Sequence, residues 1–594
     1  MNPTDQEHHM NLKTIFSSQG FIARVWGLTH PYWQSEERGR AWGLLLTIVA
    51  LTLGLVYIEV QFNTWNREFY NALEQKNYED FNALLLYFCF LAVLLISGAI
   101  YKLYLTQMLT MRWRQWLTRR YLDEWLDKQV YYRLELDKRG ADNPDQRIAD
   151  DMRLFTDGTL SLSLGLLSAV VTLVSFVAIL WAVSGPITLF GITIPGYMVW
   201  CTLIYAIVGS ILTHYVGRSL IGINFRQERM EADFRFNLVR LRENAEGVAL
   251  YHGEASERQG LLARFEGIRS NWWELMRFTK RLTGFVAGYN QIAMIFPFMV
   301  AAPRYFSGAM PLGGLMQIAS AFGQVQGSLS WFINAYATLA NWRASVDRLL
   351  SFHNALELAR QEVENAPPIV RQAAPDQAMH ARLELGVPGR DGQPGRTVLT
   401  GVQVDIRPGE GLLVTGPSGS GKSTLFRALA GIWPYGAGSV EIPADARLLF
   451  LPQRPYIPIG SLRDAVSYPA TGGSFGDEAI REVLQACRLE RFADRLDEEH
   501  NWSMIMSGGE QQRLAVARAL LHQPDYLFLD EATASLDEDN EDYLYALIRR
   551  RLPKTAVVSI AHNPDVGRHH EKQLVMTPTA DGGPMRLAML SIPA

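Results

Sequence analysis

The sequence predicts a six-span α-helical membrane domain joined to an α/β domain built on a P-loop. Three observations carry that expectation. Six long apolar runs occupy the first half of the chain. The run Gly416-Pro417-Ser418-Gly419-Ser420-Gly421-Lys422-Ser423-Thr424 fits G-x-x-x-x-G-K-[ST]. Leu412-Leu413-Val414-Thr415 before it reads as a buried strand, and Leu425 to Ala430 after it reads as a helix.

Composition agrees with a membrane half and a soluble half. Of 594 residues, 48% are hydrophobic and only 20% charged, with the apolar residues gathered in the first half. A net charge of -4 gives no sign of nucleic-acid binding. The cysteines, Cys89, Cys201 and Cys487, have no metal-ligand spacing and suit a reducing compartment rather than a disulfide framework. The polar start MNPTDQEHHMNLK has no apolar core of a signal peptide.

Residues 1–40 are expected to be an interfacial segment, because Phe21, Trp26, Tyr32 and Trp33 suit a helix lying along the inner membrane surface. The membrane domain is expected over 41–350. Its spans are Ala41–Val60, Leu84–Tyr104, about Leu160–Val183, Tyr197–Val216, about Gly284–Phe306 and about Leu312–Leu339. Each reaches the roughly 20 mostly apolar residues that a spanning helix needs. Glu59, at the outer end of the first span, is expected at the interface.

Orientation follows from basic residues near the span ends. The connection between spans two and three carries ten Lys and Arg residues between Arg112 and Arg153, and that between spans four and five carries six between Arg218 and Arg242. The stretch Gly185–Gly196 has none. Both termini and the two long connections therefore lie inside, with the P-loop. Each long connection has a break, Gly140–Pro144 in one and Tyr251–Glu254 in the other. Both read as helical extensions ending in a blunt tip. Residues 351–381 are expected as a linker, and the soluble domain is expected over 382–594.

The soluble half carries the chemistry. The P-loop backbone N–H groups and the helix N-terminus cradle phosphate oxygens. Lys422 reaches the β- and γ-phosphates, and Ser423 is a hydroxyl ligand for Mg²⁺. Gln453 follows in the loop Leu451–Pro455, and alone it would be unremarkable. Ser507-Gly508-Gly509-Glu510 opens a helix and makes a second anion site. The apolar strand Tyr526–Leu529 ends in Asp530 and Glu531. Asp530 is placed to hold Mg²⁺ through water, and Glu531 to orient or deprotonate an attacking water. Asp537 follows closely. Val557–Ala561 is another apolar strand, ending at His562, which is expected to touch the γ-phosphate.

In this order and spacing, the motifs of residues 382–594 resemble the nucleotide-binding domain of an ABC transporter. The resemblance makes Gln453 the Q-loop glutamine, serving catalysis and the metal. It makes Ser507–Glu510 the signature, Glu531 the catalytic glutamate, Asp537 the D-loop acid and His562 the switch histidine. ATP and Mg²⁺ are the implied cofactors. Asp142-Asn143-Pro144-Asp145-Gln146-Arg147-Ile148, Glu231–Arg235, Asn244–Tyr251 and Trp502 are similar to the subfamily D and bacterial YddA/SbmA-like half-transporters. That implies the exporter-type (type IV) fold, with coupling segments at about 142–150 and 251–257, where Asn143–Arg147 docks near Gln453. One P-loop and one signature per chain imply a homodimer in the bacterial inner membrane. Two departures stand out. Met506 and Glu510 replace the commoner Leu and Gln of the signature, and no aromatic residue precedes the P-loop, leaving Arg390 or an aliphatic side chain to cover the base.

The sequence is less specific about cargo. Ser168, Thr172, Ser175, Asn290, Gln291, Gln317, Gln324 and Gln326 either line a wet cavity or pack helices, as do the glycines of the last span. The expected cargo is an amphipathic or bulky substrate such as a peptide, a cobalamin-like compound, a drug or a fatty acyl compound. The resemblance leaves import open beside export, because its members include peptide and cobalamin importers as well as fatty acyl transporters. An ATP-gated channel or regulator on the same fold is the alternative. A soluble ATPase acting on nucleic acid is disfavoured by the six spans.

Overall fold

The computed structural model describes residues 20–137, 143–189, 192–364, 369–388, 395–561, 563–579 and 583–592. The chain divides into two compact units, one made mainly of residues 17–125 and 139–355, the other of 126–138 and 356–594.

The first unit is helical. Its elements are α1 (Phe21–Gln34), α2 (Arg38–Glu74) and α3 (Tyr78–Leu126), which leads into α4 (Val130–Asp137), a part of the second unit. Then come α5 (Met152–Ser184), α6 (Tyr197–Glu243), α7 (Glu254–Phe306), α8 (Leu312–Asn334) and α9 (Tyr336–Glu364). A hairpin of β1 (Pro186–Leu189) and β2 (Ile192–Pro195) joins α5 to α6. Among the described residues, five helices are long and apolar enough to cross a membrane: α2, α3, α5 with the turn before it, α6 and α7. The expected sixth span is α8, a helix of 23 residues that is not among those five. Its three glutamines and four glycines lower its hydropathy. It packs instead against α2, α5, α6 and α7, burying Leu315, Ile318, Ala321, Phe322 and Val325. A helix surrounded by other helices meets little lipid, so it can carry polar side chains.

Helix α1 is fixed by its aromatic residues. Tyr32 is fully buried and stacks on Trp113 of α3 with ring centroids 5.6 Å apart. The first long connection breaks at two places. Lys128 and Gln129 adopt positive φ between α3 and α4, and Asn143 does so before Pro144. The second breaks at His252 (φ 51) between Leu250 and Glu254. Of the residues expected to dock, Arg147 is occupied within the helical unit. It donates to the buried Asp151 across 2.6 Å, and Arg348 of α9 clasps the same carboxylate. In the second unit, α4 contributes Leu136 to the hydrophobic core, so the part of the first connection joined to that unit lies upstream of residues 142–150. Asp142 and Gly140 lie outside the described residues.

The second unit holds two sheets. β3 (Ile369–Ala373), β4 (Met379–Val387), β5 (Arg396–Ile406) and β7 (Gly436–Ile442) form a four-stranded sheet in the order β3-β7-β4-β5. The stretch expected as a linker therefore contains the end of α9, strand β3 and the start of β4. A six-stranded sheet runs β12 (Arg586–Ser591), β11 (Lys572–Thr577), β6 (Gly411–Thr415), β10 (Ala556–Ile560), β9 (Tyr526–Asp530), β8 (Leu448–Leu451). β11, β6, β10, β9 and β8 are parallel.

The continuous apolar runs are explained by cover on both faces. Leu413, Leu527, Leu529 and Val557 join one core with the helices α11 (Gly508–His522) and α12 (Glu538–Arg551). Leu412, Val414, Phe528, Val558 and Ile560 join another with α10 (Lys422–Ala430) and the four-stranded sheet. Each such fully buried side chain contributes roughly 1.5–3 kcal/mol.

Candidate nucleotide site and its setting

Parallel register sets the site. Val414 pairs with Ile560, Ile560 with Asp530, and Leu529 with Leu451. The carboxyl ends of β6, β10, β9 and β8 therefore share one edge, where α/β sheets bind their ligands. The P-loop leaves β6, Gln453 follows β8, and Asp530 and Glu531 end β9. His562 follows β10 but lies outside the described residues.

Gly416, Gly419 and Gly421 have positive φ, and a Cβ on Gly421 would press on Val398 and Leu399. The loop Gly416–Gly421 is thus closed tightly over the end of β5. Pro417, Ser418 and Ser420 complete it. Ser420 is buried with its hydroxyl 3.6 Å from Met576 Sδ. Lys422 Nζ donates to the carbonyls of Gly416 (2.9 Å) and Pro417 (3.0 Å). Ser423 and Thr424 lie in the first turn of α10. The Ser423 hydroxyl donates to Asp530 Oδ1 across 3.1 Å. Burial and the adjacent Glu531 raise the Asp530 carboxyl above its ordinary range, against the hydrogen bond from Ser423. A hydroxyl beside a half-buried carboxylate is a hard oxygen pair that fits Mg²⁺, whose charge would favour the ionised form.

Glu531 stands at φ 50, a conformation rare for a side chain of this kind. Its N–H donates to the Ile560 carbonyl (3.1 Å), tying it to the end of β10. Gln453 Nε2 donates to Glu531 Oε2 across 2.9 Å. The structure thus brings together Ser423 with Asp530 and Gln453 with Glu531.

At the signature, Ser507 caps α11 and Glu510 closes a capping box, accepting from the Ser507 N–H and hydroxyl at 3.0 Å each. Arg491 pairs with the other Glu510 oxygen at 2.6 Å. Glutamate in this position therefore has a local structural use, and the buried Met506 fills the core as an apolar residue should. A side chain on Gly509 would press on Leu536 and the Ser535 carbonyl, and Gly508 lies beside the same serine. Asp537 caps α12 through the Asn540 N–H (2.8 Å), a bond that lowers its pKa.

Sequence reasoning missed two connecting residues. Gln512, buried in α11, donates to the Gln453 carbonyl (3.2 Å) and accepts from the Ser535 N–H (2.9 Å). Glu541, buried in α12, accepts from Thr533 (2.6 Å) and from Asn563 (2.8 Å). Their partners are 59, 23, 8 and 22 residues away in sequence. Only their position on the inward face of a helix was a signal. Arg390, offered as a cover for the base, lies outside the described residues.

Comparison with known proteins agrees with this geometry. Residues 28–306 match the family described as ABC transporter transmembrane region 2, and 399–534 match the ABC transporter family. The chain is 35% identical to the Escherichia coli inner membrane ABC transporter ATP-binding protein YddA, over 92% of this chain and 96% of that one. The chain belongs to the ABC transporters, in the subfamily D and YddA-like group of half-transporters. Another relative in this group is the Arabidopsis thaliana chloroplastic ABC transporter D family member 2, 34% identical over 96% of this chain and 87% of that one. The mouse lysosomal cobalamin transporter ABCD4 is 28% identical over 93% of each. A bacterial Atm1-family ABC exporter with ATP bound has the same fold, with a TM-score of 0.67 and 18% identity over 94% of this chain and 96% of that one. This ABC transporter is therefore an ATP-hydrolysing membrane transporter of exporter-type fold.

Proposed function

We infer that two copies of this chain form a homodimeric transporter in the bacterial inner membrane, moving an amphipathic or bulky substrate at the expense of ATP. The observation that carries this reading is the shared sheet edge of P-loop, Gln453, Asp530 and Glu531, in a chain with one P-loop and one signature. The domain division is read as an interfacial segment at 1–40, a membrane domain over 41–350, a connecting segment over 351–381 and a nucleotide-binding domain over 382–594. ATP lies with its phosphates on Gly416–Thr424. Lys422 turns from the loop carbonyls to the β- and γ-phosphates. Ser423 and Asp530, with Gln453 nearby, hold Mg²⁺, which supplies charge neutralisation on the phosphates when bound. Glu531 orients and deprotonates the attacking water, and Gln453 holds its carboxylate in place. His562 contacts the γ-phosphate. Ser507-Gly508-Gly509-Glu510 and Asp537 face the nucleotide held by the partner copy. Segments near 142–150 and 251–257 act in coupling the two domains.

The inner-membrane name of the E. coli relative and the basic inner connections support the location. The cobalamin named for the mouse relative supports a bulky cargo. The test is uptake by proteoliposomes with the nucleotide-binding domains outside, given Mg-ATP and a labelled amphipathic peptide. ATP-dependent accumulation in the lumen that Glu531→Gln abolishes means export. ATP-dependent loss of preloaded peptide means import. Hydrolysis with movement in neither direction removes the peptide from the cargo candidates.

A further inference from the structure

The outer end of the helical unit gathers three buried polar groups that lack a partner. The chain turns over there between α5 and α6. The Gly196 N–H donates to the Gly185 carbonyl across 3.1 Å, and Pro186 pairs with Pro195. Ser184, the last residue of α5, and Tyr197, the first of α6, thus flank the base of the hairpin. They are 0% and 3% exposed. Arg304, near the end of α7, brings its guanidinium to the same place. A Cβ on Gly185 would run into both of its terminal nitrogens.

The faces of the three helices explain this convergence. Phe176, Leu180 and Ser184 recur at four-residue spacing on one buried face of α5. Phe176 and Leu180 share a core with Tyr197 of α6 and Ala301 of α7. Arg304 lies about one turn beyond Ala301. The three polar residues therefore crown that core on its outer side. The Ser184 hydroxyl, the Tyr197 hydroxyl and Arg304 Nη1 are closed off from solvent, and none has a hydrogen-bond partner among the described residues. Tyr197 lies within electrostatic range of Arg304. Lys102 of α3, a cation inside the second span, differs in having Glu59 of α2 as its electrostatic partner.

A guanidinium is always charged and only donates, and each hydroxyl has a proton to give. Leaving such groups buried and unpaired is unfavourable, most of all for the charge. One water molecule accepts two of the three hydrogen bonds and leaves the charge in place. A small anion accepts all three and neutralises the guanidinium. We propose that Ser184, Tyr197 and Arg304 form a site for one small inorganic anion of halide size, chloride, beneath the outer hairpin. The site goes beyond the transport reading and does not depend on it. Its occupant ties α5, α6 and α7 together, so chloride stabilises the folded chain by linkage.

The test uses the full chain in detergent, with Mg-ADP present to fill the nucleotide site. Chloride binding is read as excess line width in chlorine NMR against empty micelles. Stabilisation is read as the change in Tm when chloride replaces gluconate at constant ionic strength. The wild type should show saturable broadening that bromide displaces and gluconate does not, with a higher Tm in chloride. Arg304→Gln should lose both effects. Tyr197→Phe and Ser184→Ala should each raise the Kd for chloride roughly tenfold or more. In gluconate these two should be as stable as the wild type or more so, because each removes an unpaired buried hydroxyl. A purely structural role for the hydroxyls would lower Tm equally in both salts. No saturable broadening in the wild type, a Tm that ignores the exchange of salts, or an unchanged Kd in Arg304→Gln overturns the proposal. If Arg304→Gln does not fold, an unchanged Kd in Tyr197→Phe overturns it as well.

Discussion

Gln453 holds Glu531 by a hydrogen bond of 2.9 Å from Nε2 to Oε2, linking the loop after β8 to the carboxylate at the end of β9. The bond fixes the orientation of the proposed base. Glu531→Gln keeps the shape but cannot take a proton. We expect ATP binding to be retained and hydrolysis to fall by about 10²–10⁴-fold. Lys422→Ala should instead raise the Kd for ATP. Steady-state hydrolysis and binding of a fluorescent ATP analogue separate the two effects, and full hydrolysis by Glu531→Gln would remove it from the catalytic role.

Gln512 joins two loops around the same site, through the Gln453 carbonyl and the Ser535 N–H. It is fully within the domain and has no route to the nucleotide except through those loops. Gln512→Ala should lower kcat roughly 10–100-fold by letting Gln453 and the segment after Glu531 drift. The KM for ATP should change less than about twofold, as the P-loop is untouched. Gln512→Glu keeps the acceptor for Ser535 but places a carboxylate against the Gln453 carbonyl, so it should not rescue kcat. A fall in ATP affinity with kcat unchanged would contradict this assignment.

What could be read from the sequence was what is encoded at short range. Gly416–Thr424, Asp530-Glu531 and Ser507–Glu510 are contiguous, and their chemistry depends on spacing along one segment. The contacts that hold them in relation to one another are long-range, and Gln512 and Glu541 left no comparable mark. Lys102 was hidden for a different reason. Hydropathy averages over a span, and one lysine among the apolar residues Leu84–Tyr104 does not interrupt it. The same averaging made α8 look like an ordinary span, when its glutamines are tolerated because other helices surround it. The α4 contact was not legible at all, since Leu136 meets its partners only after the chain has turned at Lys128 and Gln129.

His570 gives the soluble unit a dependence on acid. It is buried, with Nε2 2.9 Å from Ser559 Oγ and Nδ1 2.9 Å from the Val566 carbonyl. Burial lowers its pKa from 6.5 to about 4. Above pH 6.5 the ring is neutral in both folded and unfolded chains, and its contribution is fully present. Below that the unfolded chain takes the proton first, so stability is lost as pH falls toward 4. The loss should reach about 2 kcal/mol at pH 5 relative to pH 8. Thermal unfolding of the full chain followed from pH 8 to pH 5 would measure it. His570→Gln should be less stable at pH 8 but lose this part of the pH dependence. An unchanged slope would place the titration elsewhere.

Two glycines of α8 should behave oppositely although the sequence presents them alike. Gly313 lies against α2, where a Cβ would run into the Arg67 carbonyl. Its N–H donates to Asn71 Oδ1 (2.9 Å), and the Leu312 N–H donates to Glu74 Oε2 (3.0 Å). Those bonds satisfy the first amides of α8, which have no partner within the helix. Gly313→Ala must push the helices apart and break them, at a cost of about 1–3 kcal/mol. Gly323 has open space at its Cβ position. Gly323→Ala should be neutral or stabilising by up to about 1 kcal/mol, from the higher helix propensity of alanine. Thermal unfolding of the two variants in the same detergent compares them directly. Equal loss in both would mean that α8 does not approach α2 as closely as the Gly313 contacts require.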